Sequence, residues 1–493
     1  MSSDRKDRKI LFIVIDQMRA DCLSGALAEH VDLPNMRALQ QDAVRFDQHF
    51  TVITPCGPSR CSLLTGQYGM NHRAIRNGTP LRRGTPNVAT ESRKAGYEPL
   101  LFGYNDTTVD PTGKHPNDPD LIGYEHVMEG FRELLEMRLE ESYPWRAYLK
   151  SQGYDIPDYS DFYNPIPETP GDKPKPNDPP FYSAEHSDTA FLTDSFLREM
   201  AVRTDQNWFA HLTYIRPHPP LVAPAPYNTM YDPDDLPPTV PQGQQDAFSA
   251  LVSQSQKISG WVKGCEVDES DTQTLRSIYL GLATEVDHHI GRVIGFLKDT
   301  GQYNDTLIVL TADHGEMLGD HGLWGKQHAF DRSYHVPLII RDPDHAQTRG
   351  TVIDELTQSI DVTPTILDFI GVPVPKSMNG QSLRPFLAGT PSPDWPQSIH
   401  MELDFADKIN AKLLGERGIS DAQANLAILR NKQFKLVHFN SGFDPLLFDI
   451  KADPEEQTNL ATDPAYAQTL LEMTQALLSH RMRHMDQSLS ERP

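Results

Sequence analysis

Cys56-Gly57-Pro58-Ser59-Arg60 is the segment of this chain best equipped for chemistry. A thiol, a proline two residues on and an arginine two beyond open a stretch, Cys61-Ser62-Leu63-Leu64-Thr65-Gly66, that reads as a helix. A bland alternative pairs Cys56 with Cys61 as a disulfide or as half a metal site. It is weakened because no second Cys/His pair lies at zinc-finger spacing. Two more groups follow apolar runs: Asp16-Gln17 closes one, and Asp313-His314-Gly315 comes shortly after another. In open α/β sheets, ligands collect at the carboxyl ends of strands. A carboxylate there suits a hard cation, and an Asp-His pair suits mixed oxygen and nitrogen ligation of a divalent metal. Either aspartate alone reads equally well as a turn or cap residue. Two such strand ends beside a cysteine-arginine loop favour the metal.

The elements that must position these groups are legible as runs and periods. Ile10 to Ile15, Phe209 to Tyr214, Leu307 to Leu310 and Val336 to Ile340 are apolar runs suited to strands covered on both faces. Leu275 to Leu297 and Asp361 to Ile370 carry a helical period. Strands alternating with helices indicate an α/β sandwich. Residues 110 to 190 are rich in Pro, Asp, Tyr and Asn, with a short helical piece near Gly130 to Leu149. They read as an insertion, a lid or oligomer contact. A second Pro-rich stretch runs from Arg216 to Pro241. After about residue 385 the pattern becomes short antiparallel strands (His400 to Leu403, Ala427 to Arg430, Phe434 to Phe439), then Leu447 to Ile450 and a helix from Pro464 to Met485. The division expected is a catalytic unit over 1–385 and an α+β subdomain over 386–493.

Composition narrows the function. A chain of 493 residues can bury a large core and a second, smaller one. A formal charge of -23 argues against a nucleic-acid partner, since an acidic surface repels phosphate backbones. It leaves open a small anionic substrate held in a locally charged cleft. Four cysteines (Cys22, Cys56, Cys61, Cys265) do not make a disulfide framework. The start, MSSDRKDRKILFIVID, is charged and then apolar, and it ends in aspartate rather than a small-residue cleavage site. It reads as a buried strand, not a leader. No run reaches the length of a membrane span, so no membrane contact and a cytoplasmic location are expected.

Cys56-x-Pro58-Ser59-Arg60 resembles the signature of the type I sulfatases, within the alkaline-phosphatase-like superfamily. The resemblance extends over nearly the whole chain. It implies a large mixed, mostly parallel sheet sandwiched by helices, with a smaller C-terminal antiparallel sheet plus helix. It implies that Cys56 is oxidised by a formylglycine-generating enzyme, and that the aldehyde hydrate of the resulting formylglycine is the nucleophile. It implies one divalent metal held by Asp16, Gln17, Asp313, His314 and the oxygen derived from Cys56. Arg60 would orient the diol or neutralise the bound oxyanion. His218, in Arg216-Pro217-His218-Pro219-Pro220, and Lys326, in Gly325-Lys326-Gln327-His328, resemble the family's leaving-group histidine and charge-stabilising lysine. His321 and His328 are weaker candidates, and His288 and His289 read as packing or surface residues.

The departures from the common pattern point to a substrate. Gln17 stands where a second aspartate is usual, which removes a ligand charge and favours manganese or another transition metal over calcium. Many sulfatases carry a Gly-Lys-Trp-His run whose lysine grips sulfate. The corresponding place here is Leu101-Phe102-Gly103-Tyr104-Asn105-Asp106-Thr107-Thr108, offering neutral hydrogen bonds instead. With Gln17 and Asn77, this resembles the phosphonate monoester hydrolase branch. The resemblance implies Asn77, Tyr104 and Thr107 (or the adjacent Thr108) as substrate-binding positions. It also implies phosphonate monoesters and phosphodiesters as substrates, arylsulfatase side activity and a homo-oligomer, with a tetramer the first expectation. A dedicated arylsulfatase is the alternative. A noncatalytic binding protein on the same fold is disfavoured by retention of the whole candidate set.

Overall fold

The apolar run at the start of the chain forms the central strand β1 (Lys9–Ile15) of an eight-stranded sheet. Every residue of β1 is buried. Successive side chains point to opposite faces: Leu11, Ile13 and Ile15 enter one core, while Ile10, Phe12 and Val14 enter the other. Each such side chain contributes on the order of 1.5–3 kcal/mol on burial, which is why this strand reads as a continuous apolar run rather than an alternating one. The computed structural model describes residues 8–486 except 122, 124, 139–141, 245 and 409. The charged first seven residues of the leader reading lie outside this set.

The other strands of the sheet are β2 (Val44–Phe46), β3 (Pro99–Gly103), β4 (Arg132–Glu136), β5 (Phe209–Tyr214), β6 (Thr306–Ala312), β7 (Leu338–Arg341) and β8 (Val352–Ile353). Their spatial order is β8-β2-β7-β6-β1-β5-β3-β4. All neighbours are parallel except at β7, which runs antiparallel to both β2 and β6. The long helix Thr272–Asp299 covers one face through Leu275, Ile278, Leu282 and Val286. The opposite face is covered by Val362–Phe369 and by the helix Cys56–Thr65, through Leu63 and Leu64.

A second sheet is built from Ser398–Asp404, Asn425–Asn431, Phe434–Phe439 and Leu446–Asp449, all antiparallel. Its fifth strand, Ile53–Thr54, is parallel to Ser398–Asp404 and lies just before the candidate nucleophile. The C-terminal part of the chain therefore braces the backbone that leads into Cys56. The helix Ala467–His484 packs Met473 and Leu477 against this sheet.

One local expectation is corrected. The segment near Gly130 to Leu149 is not a single helical piece: Arg132–Glu136 is the edge strand β4, paired with β3, and the helix is confined to Tyr143–Ser151. Arg-Glu-Leu-Leu-Glu has ordinary helix formers, but pairing with an open sheet edge overrides that weak preference. The bland disulfide alternative also fails, because all four cysteines are free. No helix among the described residues is long and apolar enough to cross a membrane.

Candidate active site

Register brings the candidate ligands together. In the parallel pair β1 and β6, Ile15 lies opposite Ala312, so the next residues, Asp16 and Asp313, leave adjacent strand ends side by side. Tyr104 follows β3, and His218 comes four residues after β5. Four neighbouring strands, β3, β5, β1 and β6, thus deliver their chemistry to one carboxyl edge. Cys56 comes from outside the sheet, as the first residue of the Cys56–Thr65 helix, all ten residues of which are buried. A helix N-terminus favours negative charge there.

Asp16, Cys56, Asp313 and His314 each present one donor atom, all within 4.8 Å of one another. His314 Nε2 lies 3.1 Å from Cys56 Sγ and 3.7 Å from both Asp16 Oδ1 and Asp313 Oδ2. Its Nδ1 donates to Gly315 O at 3.0 Å, which leaves the Nε2 lone pair for the cluster. Burial, then Lys326, pushes the His314 imidazole down to about 3, so it is neutral. Gly315 is required by a close approach: a Cβ there would sit 2.0 Å from Arg332 O. Asp16 Oδ1 is buried without a hydrogen-bond partner among the described residues. Such an orphan is costly unless something absent satisfies it. A pair of carboxylates, a neutral imidazole and the Cys56 position fit a divalent cation.

Arg60 holds this cluster from behind. Its Nε donates to Asp313 Oδ2 at 2.9 Å, and one terminal nitrogen donates to Asp16 Oδ2 at 3.0 Å. It also donates to Tyr104 O and the Tyr104 hydroxyl, each at 3.2 Å, with its guanidinium 4.2 Å from the Tyr104 ring centre. Tyr104 in turn donates to Asp16. Arg60 is 1 % exposed, and all three of its nitrogens donate to Asp16, Asp313 or Tyr104. It organises the carboxylates, and Tyr104 is spent on the same task.

Lys326 Nζ donates to Gln17 Oε1 at 2.6 Å and lies 2.9 Å from His218 Nε2. His218 Nδ1 donates to Pro219 O at 2.6 Å. Burial, then Lys326, pushes His218 down to about 3. Its loop is pinned by Arg216, which donates to His218 O and Pro220 O at 2.9 Å each and to Asp188 at 2.8 Å. The guanidinium of Arg216 sits 4.9 Å from the centre of the Tyr163 ring. The Pro- and Tyr-rich segment thus buttresses the loop that carries His218.

Asn77 Oδ1 accepts from Gly57 N–H at 3.0 Å, beside Cys56. Thr107 is not brought into the cluster: its hydroxyl donates to Asn105 O at 3.1 Å, and it lines, with Thr108, a cavity of about 400 Å³ that also includes Arg82 and Lys114. His321 stacks on Phe330, and His328 Nε2 bonds Trp324 O, so neither joins the site. His288 and His289 bond Tyr227 and Arg292 on the long helix, as packing residues.

Two acidic residues escaped the sequence reading. Glu316 is two positions beyond His314; its Oε1 accepts from Leu318 N at 3.0 Å and Gly325 N at 2.6 Å, and its other oxygen accepts from Gln17 Nε2. That contact leaves Gln17 Oε1 to face Lys326. The only sequence signal was position, at the end of the Asp-His-Gly run. Glu316→Gln is expected to let the Gln17 amide turn over and weaken metal binding by about 10–100-fold. A Mn²⁺ titration of metal-depleted protein checks this, and an unchanged affinity contradicts it. Asp106 is the second, inside the quoted loop and with no signal to mark it. It is buried, and burial, opposed by Arg60, pushes its carboxyl up to about 7.

The chain is similar to known proteins over nearly its whole length. A sulfatase family model matches residues 8–372, and an N-sulphoglucosamine sulphohydrolase C-terminal model matches 319–483. The chain belongs to the sulfatase family. It is 37 % identical to PehA of Trinickia caryophylli, a multifunctional alkaline phosphatase superfamily protein, covering 98 % of this chain and 97 % of that one. The structure of a phosphonate monoester hydrolase from Silicibacter pomeroyi superposes with a TM-score of 0.94 at 53 % identity, covering 98 % and 97 % of the two chains. That of Agrobacterium radiobacter gives 0.91 at 39 %, with the same coverage. An arylsulfatase of Clostridium perfringens is 26 % identical over 94 % of this chain and 92 % of its own. The sheet architecture is the one these family structures share, and the protein is an ester hydrolase. Membership implies a bound metal and a formylglycine.

Proposed function

We propose that this enzyme hydrolyses phosphonate monoesters and phosphodiesters, with arylsulfatase activity as a side reaction. The observation that carries the reading is the state of the two cations at the site. Arg60 is bound by Asp16, Asp313 and Tyr104, and the residues directly after β3, Tyr104 to Thr108, include no lysine. Lys326 is then the one cation of the pair left for the ester. Such a site suits a singly charged tetrahedral ester. The likeness to the two phosphonate monoester hydrolases supports the same reading.

Asp16, Gln17, Asp313, His314 and the modified Cys56 would hold the metal, with manganese suited to this carboxylate, amide and imidazole set. When bound, it would act as a Lewis acid on the ester oxygen and lower the pKa of the attacking hydroxyl. The remaining work belongs to the chain. Asn77 anchors Gly57 and so orients the start of the nucleophile helix. Lys326 and His218 share one proton between Nζ and Nε2 at 2.9 Å. Because His218 is held neutral, Lys326 carries that proton at rest, and the pair delivers it to the departing oxygen.

His218→Ala is expected to cost about 10²-fold or more in kcat for esters with poor leaving groups and little for activated aryl esters, which need no proton. Equal losses across a leaving-group series would remove the pair from that step. The function itself is tested by kcat/KM for three aryl esters sharing one leaving group: a phosphonate monoester, a phosphodiester and a sulfate. The phosphorus monoanions should win, and a clear preference for sulfate would make the enzyme a dedicated arylsulfatase.

A further inference from the structure

Asp106 is a buried carboxylate at the site for which the mechanism above has no use. A Cβ built on Gly57, the residue after the candidate nucleophile, would lie 3.1 Å from Asp106 O and 3.5 Å from its Oδ2. Asn77 Oδ1 would be 3.1 Å from the same point. Asp106 therefore flanks the first turn of the nucleophile helix beside a proposed substrate-binding residue. It is 4 % exposed, and its Oδ1 has no hydrogen-bond partner among the described residues. Among the described residues no cation lies within ion-pair distance of it, whereas Asp16 and Asp313 are both paired with Arg60. Its backbone is left-handed, with φ +47°, a conformation uncommon outside glycine that aspartate adopts more readily than most residues. The helix N-terminus offers a structural reason for a carboxylate here. Yet the Gly57 N–H is taken by Asn77, not by Asp106.

We infer that Asp106 sets the charge specificity of the site, rejecting esters that carry two negative charges and admitting those that carry one. An unpaired carboxylate beside the nucleophile raises the energy of a second anionic oxygen on the substrate, while a neutral alkyl, aryl or alkoxy substituent meets no such penalty. Selectivity by a built-in repulsive group needs no added attraction to the favoured ligand. This rests on the reading of the site as an ester hydrolase for singly charged substrates, and it names the residue responsible.

The test compares two competitive inhibitors, methyl phosphate and dimethyl phosphate, against whichever aryl ester the metal-loaded enzyme turns over. The ratio can be read whether phosphonate or sulfate proves to be the preferred substrate, so failure of the two readings is distinguishable. The assay is run at alkaline pH, well above the second phosphate ionisation near about 6. There methyl phosphate is a dianion and dimethyl phosphate a monoanion. The wild-type enzyme should bind dimethyl phosphate at least about tenfold more tightly. Asp106→Asn, with Asp106→Ser as a second variant, should shift that ratio toward methyl phosphate by about tenfold or more with bound metal retained. A smaller shift, or loss of metal on substitution, overturns the assignment; the second would make Asp106 a ligand. If neither variant folds, the wild-type ratio decides, and a dianion bound as tightly as the monoanion overturns it.

Discussion

Cys56→Ala is expected to abolish turnover, lowering kcat/KM by at least about 10⁴-fold, while the fold survives. Losing a nucleophile costs on this scale because only binding and electrostatic contacts remain to act. The fold should tolerate the change because the helix is held by Leu63 and Leu64 in the core and by Ser59, which bonds Thr51 at 2.8 Å, rather than by the thiol. Far-UV circular dichroism and thermal unfolding should match the wild type. A clean preparation retaining a tenth of wild-type activity would remove Cys56 from its role. In active wild-type enzyme the peptide bearing residue 56 should lack a thiol and react with a hydrazide probe. A fully active enzyme whose peptide keeps its thiol would contradict the formylglycine assignment.

Asp313→Ala is expected to cost about 10²–10³-fold or more in kcat/KM, the scale of losing a preorganised electrostatic contact, and to empty the metal site. The carboxylate of Asp313 does several jobs at once. It is a donor in the four-atom cluster, accepts from Arg60, and receives the backbone N–H groups of Gln17 at 3.1 Å and His314 at 2.9 Å. Its removal also leaves Arg60 buried with Asp16 as its remaining carboxylate, a defect of about 3–5 kcal/mol for a fully broken buried pair. A lowered unfolding midpoint should therefore accompany the lost activity. Metal content by elemental analysis separates the two effects. Chelation of the wild-type enzyme should reproduce the activity loss without the stability defect of the variant's Arg60, and Mn²⁺ should restore it. Full activity in metal-free protein would overturn the metal assignment.

The core of the site was readable because its residues sit at the ends of strands that announce themselves. Ile10 to Ile15 and Leu307 to Leu310 are buried on both faces, so their apolar runs are unbroken, and the polar residues that end them stand out. The Cys56 segment is contiguous, so its spacing survives in the sequence. The stretch near Gly130 to Leu149 does contain a helix, from Tyr143, but its strand is not legible in the sequence because β4 is an edge strand whose residues are only partly covered. Its identity comes from pairing with β3, not from local preference. Thr107 shows the same limit at the site, since its neighbour Asp106 is the side chain that flanks Gly57.

What the sequence by itself determined is the inventory and the architecture: which strands are central, which residues follow them, and which family the Cys56 loop resembles. Only the tertiary structure decided the division of labour. Arg60 and Tyr104 could each have faced a substrate, and folding binds Arg60 to Asp16 and Asp313 and Tyr104 to Asp16 instead. Glu316 became the residue that orients the Gln17 amide, and Asp106 the buried carboxyl beside Gly57 without an ion-pair partner among the described residues. The physical reason is that a side chain's direction in a strand-end loop depends on its backbone angles and on partners from distant parts of the chain. Parallel register between β1 and β6, nearly three hundred residues apart, sets those partners, and no local pattern of residue types encodes it.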